Sequence, residues 1–237
     1  MKLLAIDSAT EAASCAVMDD NKLLGEITFN YKKQHSVIIM NIIDYLLKNL
    51  KISIDDLDGF VVSKGPGSFT GLRIGMAVVK GLSEGSKKPF VSISSLDTMA
   101  YSLAYTSGII CPIIDALRNN VYTAIYKFEN TNFNKISDYM AISVDDLIKV
   151  LKDYNLPVTF IGDAVPKFKE TFEAELNKVN FAPGHLNLVK ASGLCELGMN
   201  LMREGKFDNP LSSAPIYLRK SQAEREYESR TGRSIDE

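Results

Sequence analysis

The 237-residue chain is poor in the side chains on which simple hydrolytic and metal chemistry depends. It has two histidines, His35 and His185, with no pair at the i, i+3 or i, i+4 spacing that binds zinc on a helix. His35, just ahead of an apolar segment, reads as a cap or core-edge residue rather than a general base. The three cysteines, Cys15, Cys111 and Cys195, are far apart and odd in number, which excludes a disulfide frame or zinc knuckle and indicates reduced thiols. No Gly-x-Ser-x-Gly elbow is present, and no Gly-Lys-Ser/Thr completes a Walker-type phosphate loop. There is no excess of positive charge: 27 Lys and Arg against 29 Asp and Glu leave a formal net charge of −2. That argues against a chain that grips RNA unaided. Long apolar runs are missing too. The start, Met1 to Asp7, is interrupted by a carboxylate well before the length of a signal peptide or a membrane helix. The default placement is cytoplasmic, with no membrane contact.

What remains is the composition of an ordinary globular protein, 46% hydrophobic and 24% charged, long enough for one large domain or two small ones. Leu3–Ile6, Ser14–Met18 and Leu23–Tyr31 read as an early strand meander. Val37 to Leu50 follows with helical spacing, and Ile39, Ile42, Ile43, Leu46, Leu47 and Leu50 share a broad face. Val37, Ile38 and Met40 make that helix apolar over more than one face, so it is either buried twice or meets another protein. Strand and helix then alternate: a strand at Gly59–Ser63, a helix over Phe69–Ser86, a strand at Phe90–Ser94, a helix over Leu96–Tyr105. At Ile109–Asp115 the pattern restarts with an apolar strand ending in a carboxylate, as Leu3 to Asp7 did. Strands at Val121–Phe128, Ile136–Ile142 and Val158–Ile161 are expected, with helices over Asp145–Leu151, Lys167–Leu176 and Ala191–Glu204. Alternation of this kind points to an α/β fold with a duplicated plan. The expected division is one lobe over 1–106, a second over 107–222 and a flexible, charged tail over 223–237.

The densest local signal is Ser63-Lys64-Gly65-Pro66-Gly67-Ser68-Phe69-Thr70-Gly71-Leu72-Arg73-Ile74-Gly75. A strand, a Gly-Pro-Gly turn and a helix N-terminus form a ready anion site. The plainer reading is a tight turn with Ser68 or Thr70 capping the helix. Inside that helix Gly71, Gly75, Gly81 and Gly85 each cost up to about 1 kcal/mol relative to alanine. Close approach of another backbone would offset this. Gly71 and Gly75 form one small stripe, and Ala77, Gly81 and Gly85 a second. One could face the protein's own sheet while the other, flanked by Leu72, Met76 and Lys80, receives a partner helix. Asp7, with Ser8 and Thr10, ends the first strand, and Asp115 takes the matching place in the second half. Two such acids are the minimum for an actin-like ATP site.

Met1–Thr10, Lys64–Gly81 and Pro215-Ile216-Tyr217-Leu218-Arg219 together resemble the TsaB family, also known as YeaZ, and His35-Ser36-Val37 and Asp115-Ala116 with Val121-Tyr122 fit the same pattern. The resemblance runs through Arg219. It implies an actin-like, sugar-kinase/Hsp70-type fold with two lobes. It further implies a non-catalytic subunit that pairs with TsaD, which carries ATP, a metal and a His-x-x-x-His segment. The matching positions here are Ser95 and Met99, neither of which replaces a histidine ligand, so no metal or cofactor is expected in this chain. TsaD would transfer a threonylcarbamoyl group to N6 of adenosine 37 in tRNAs that read codons starting with A, with the ATPase TsaE joining the assembly. tRNA would be contacted mainly through the complex, and a homodimer is the expected alternative pairing. The family's pairing implies contacts through the first helix and the glycine-rich helix, at Ile39, Ile43, Leu46, Phe69, Leu72, Arg73, Met76, Ala77, Lys80 and Gly81. Asp7, Ser8, Thr10 and Asp115 would be a degenerate nucleotide site. Leu117 stands where a basic residue is expected, which weakens an anion role for that corner. Two other readings compete: an actin-like ATPase or small-molecule kinase using Asp7, Asp115 and the Gly65–Thr70 turn, and a hydrolase using His35 or His185.

Overall fold

In the computed structural model, which describes residues 1–31 and 35–220 together with Glu224, Tyr227, Arg230 and Thr231, the first strand is buried on both faces. Strand β1 (Lys2–Asp7) turns Leu4 and Ile6 to one helical layer and Leu3 and Ala5 to the other, as the period of two requires. It pairs antiparallel with β2 (Ala13–Asp19) and parallel with β4 (Gly59–Gly65). Beyond them lie β3 (Lys22–Phe29) and β5 (Phe90–Ser94), giving the order β3-β2-β1-β4-β5. Helices α1 (His35–Leu50) and α2 (Phe69–Ser86) cover one face, where Ile39, Ile43, Leu46 and Met76 join Leu4, Ile6 and Val62 in one cluster.

The second sheet repeats the plan around β6 (Ile109–Asp115). With β7 (Asn120–Thr123), β10 (Met140–Ser143), β11 (Val158–Ile161) and β12 (Val179–Phe181) the order is β10-β7-β6-β11-β12. A hairpin of β8 (Tyr126–Glu129) and β9 (Asn132–Lys135) hangs from β6 at Ile110. Without that hairpin, both sheets read third, second, first, fourth, fifth strand. Helices α4 (Val144–Tyr154) and α5 (Val165–Glu175) cover one face of this sheet, while the short α3 (Ser95–Tyr101) packs between the lobes against Ile110, Ile114 and Tyr122. Asp97 of α3 accepts hydrogen bonds from the hydroxyls of Tyr126 at 2.7 Å and Tyr139 at 2.8 Å, tying the first lobe to the second.

Several elements differ from the sequence-based expectation. The apolar run over Val121–Phe128 is two strands with different neighbours, because β7 pairs with β10 and β8 turns away to pair with β9. An unbroken apolar run conceals such a change of partner. Of the expected strand at Ile136–Ile142 only the end is strand, in β10, while β9 lies ahead of it and β12 had no counterpart in the pattern. The last helix, α6 (Ala191–Arg203), lies in the segment assigned to the second lobe, yet it covers the free face of the first sheet. There Leu194, Cys195 and Met199 meet Leu3, Ala5 and Val61. Its N-terminus has no side-chain cap of its own. Instead Ser14 Oγ accepts from Ala191 N–H at 3.1 Å, and the Glu26 carboxylate accepts from the Ser192 N–H and hydroxyl at 2.9 and 2.8 Å. A carboxylate at that end also opposes the helix dipole. The tail expected over 223–237 lies almost wholly outside the described residues. Among the described residues no helix is long and apolar enough to cross a membrane.

Candidate functional site

Two places bring the sequence-marked residues together: the crevice between the lobes and the outer face of α1 and α2. Asp7 ends β1 at the crevice and is fully buried. Its Oδ1 accepts from Ala9 N–H at 3.3 Å, whereas Oδ2 has no hydrogen-bond partner among the described residues. Burial, with a smaller push from the Asp163 charge, raises the carboxyl to about 7 against the pull of the Ala9 and Ser8 amides and the Ser63 hydroxyl. Ser63 also shares a 2.8 Å hydrogen bond with Ser95.

Asp163 is the crevice acid that the sequence reading passed over. It follows β11 in Ile161-Gly162-Asp163-Ala164, the same strand-then-carboxylate signal that marked Asp7 and Asp115. Gly162 makes the turn possible: its φ is +126°, and a Cβ there would lie 2.1 Å from Ile113 O. Asp163 Oδ1 accepts from the Asp115 N–H at 3.0 Å. Asp163 keeps an exposed edge, and desolvation of its carboxyl by the surrounding chain, then the charges of Asp115 and Glu11, raise it above the usual carboxylate range against the Asp115 amide. Asp115 itself is paired with Lys167 at 3.0 Å.

The polar groups that would receive a nucleotide are already engaged. Ser8 Oγ donates to Gly71 O at 2.8 Å, and Thr10 Oγ1 accepts from Ala12 N–H at 3.3 Å. Ser68 N–H, in the Gly-Pro-Gly turn, donates to Ala9 O at 2.7 Å, and Ser68 Oγ caps α2 by accepting from Gly71 N–H. The same Ala9 O lies 2.1 Å from where a Gly67 Cβ would stand, so that glycine admits the chain's own backbone. Among the described residues no three acidic, His or Cys side chains converge as a metal site. The Asp7–Thr10 loop and the Gly65–Thr70 turn are thus bonded to each other within the first lobe. Ser95 and Met99 are buried in α3, one bonded to Ser63 and the other in the interlobe core. His185 is exposed, and the His35 side chain lies outside the described residues.

On the outer face the ten residues tied to partner contact divide. Ile39, Ile43, Leu46, Leu72 and Met76 are buried within the chain. The exposed apolar side chains of α1 are instead Val37 at 62%, Met40 at 49% and Tyr45 at 63%. On α2, Arg73, Ala77 and Gly81 face outward, with Phe69 and Lys80 partly covered. The cover comes from residues 213–217. Tyr217 stacks on Phe69 at 4.6 Å and accepts from Arg73 Nε at 2.9 Å, and Lys80 Nζ donates to Ser213 O at 2.6 Å. The two glycine stripes also part. A Cβ on Gly75 would lie 2.4 Å from Ser8 Oγ, whereas one on Gly81 or Gly85 would meet nothing within 4 Å.

The doubled strand order and the acids at the lobe junction define an actin-like fold. Comparison with known proteins agrees. YeaZ from Pseudomonas aeruginosa superposes with a TM-score of 0.76 over 92% of this chain and all of that one, at 21% identity, a likeness of fold. The ethanolamine utilization protein EutJ from Carboxydothermus hydrogenoformans gives a TM-score of 0.50 at 17% identity, covering 82% and 89% of the two chains. The family model described as TsaD, tRNA N6-adenosine threonylcarbamoyltransferase, matches residues 22–227. The tRNA threonylcarbamoyladenosine biosynthesis protein TsaB of Bacillus subtilis is 32% identical over 94% of this chain and 96% of its own length. Its Escherichia coli counterpart is 25% identical over the same shares. The chain belongs to the TsaB family of tRNA threonylcarbamoyladenosine biosynthesis proteins.

Proposed function

We propose that this chain is the non-catalytic partner of TsaD in forming the threonylcarbamoyl group on N6 of adenosine 37, in tRNAs that read codons starting with A. The observation that carries the reading is the outer face of α1 and α2. There Val37, Met40 and Tyr45 stand exposed beside the uncovered stripe Ala77, Gly81 and Gly85. Both helices cover the same side of the first sheet, so their outer surfaces point the same way. Apolar knobs beside a floor without side chains suit a helical partner that approaches closely. The exposed, outward-facing members Arg73, Ala77 and Gly81 remain as contact residues. The engaged hydrogen bonds of the crevice support the complementary part of the proposal, that nucleotide and metal are held by TsaD and none by this chain. TsaE and tRNA would join through the pair, in the cytoplasm, and a homodimer through the same face is the alternative pairing.

Reconstitution tests the function directly. Threonylcarbamoyl-adenylate and tRNA are incubated with TsaD alone, with this chain alone and with both, and modified adenosine is measured in a single turnover. Product only with both is expected. Equal product from TsaD alone, or ATP turnover by this chain alone, contradicts the reading and favours an actin-like ATPase or kinase.

A further inference from the structure

The segment Pro215-Ile216-Tyr217-Leu218-Arg219 is part of no strand or helix, yet it is held by both lobes. Its first residues grip the first lobe. Ile216 N–H donates to Lys64 O at 2.7 Å, and Tyr217 lies flat on Phe69, 4.6 Å between centroids with 8° between planes. Arg73 Nε donates to the Tyr217 hydroxyl. Gly65 is part of this seat, since a Cβ there would stand 3.3 Å from Ile216 O. The next two residues grip the second lobe. Leu218 packs on the cluster that contains Ile114, Ala116 and Tyr122, and Arg219 Nη1 donates to Ala116 O at 2.5 Å. The chain bends at Leu218 and Arg219, which carries it from its seat on the first lobe to the second. The two gripped places flank the acid crevice: Lys64 to Phe69 borders the Asp7 loop through the Ser68–Ala9 hydrogen bond, and Ala116 follows Asp115.

We infer that residues 215–219 are an interlobe clasp that holds the crevice closed over Asp7. In a two-lobed fold the lobes can rotate about their junction, and a strap bonded to both sides opposes that motion. The clasp does not depend on the partner reading, because its contacts all lie within the chain.

Hydrogen exchange on the intact chain tests it, with a double variant, Tyr217→Ala with Arg219→Ala, that removes the ring stack and both side-chain hydrogen bonds. The amides of residues 7–10 and 115–120 are expected to exchange about tenfold faster or more, while the β2–β3 hairpin, remote from the clasp, keeps its wild-type rates. Arg219→Lys should retain part of the protection, because an ammonium can still donate to Ala116 O. Unchanged rates at residues 7–10 and 115–120 overturn the inference. So does an equal rise across the whole chain, which makes the segment a contributor to global stability and nothing more. If the double variant does not fold, Arg219→Ala alone, which removes the hydrogen bond to Ala116 O, gives the same two readings.

Discussion

A carboxyl sealed from water with one oxygen unpartnered is costly to a folded chain, and Asp7 is such a group. The sign of the pH effect follows from its raised value. The unfolded chain releases the Asp7 proton near 3.8, whereas the folded chain keeps it to about 7. Over that window the folded state binds the extra proton, so stability falls as pH rises and levels off above it. The penalty at the plateau is at most about 4 kcal/mol. Asp7→Asn is therefore expected to raise the melting temperature clearly near pH 8 and to change it little near pH 4. Melts of wild type and variant at the two pH values check this, and equal shifts at both would mean that Asp7 does not titrate between them. The same residue gives a measure of what the sequence carried. A strand ending in aspartate marked Asp7 and Asp115, and the identical signal at Asp163 went unused because Gly162-Asp163 also reads as an ordinary turn. That Asp7 is buried without a partner on Oδ2 depends on residues from three other elements, and no local pattern carries that.

Within α2, four glycines have two different reasons. Gly75 admits Ser8, and a methyl group there would displace the Ser8–Gly71 hydrogen bond. Gly81 has open space in front of it. Gly75→Ala should lower stability by about 1–3 kcal/mol, whereas Gly81→Ala should raise that of the isolated chain by about 0.5–1 kcal/mol. Urea denaturation of the two variants distinguishes them, and a loss in both would mean that the second stripe is also packed. The helix itself, from Phe69 to Ser86, was legible end to end, since the Ser68 cap and the apolar spacing agree. Which small stripe faces inward was not, because the deciding side chain, Ser8, belongs to the loop after β1. For α1 the excess of apolar residues was legible but its direction was not. A helix apolar over more than one face offers several candidate inner stripes, and only the position over β2 selects Ile39, Ile43 and Leu46 for the core, leaving Val37, Met40 and Tyr45 outside.

Across the whole molecule, the doubled strand–helix pattern gave away two similar halves before any coordinates, because each half restarts with an apolar strand closed by an aspartate. The return of α6 to the first sheet was not visible in that pattern, since an amphipathic helix does not state which sheet it covers. Its docking rests on Ser14 and Glu26 of β2 and β3, far away in sequence. With α6 on one side and α1 and α2 on the other, the first sheet carries helices on both faces, and the outer surface of α1 and α2 is left as an apolar face. The central claim is that this face binds TsaD. Size-exclusion chromatography with light scattering, on this chain mixed with TsaD, tests it most directly when wild type is run beside Gly81→Trp. The variant places a ring in open space and should fold normally. A one-to-one complex with wild type that is lost with Gly81→Trp is the predicted result. A complex that survives the substitution, or no complex with the wild-type chain, would contradict it.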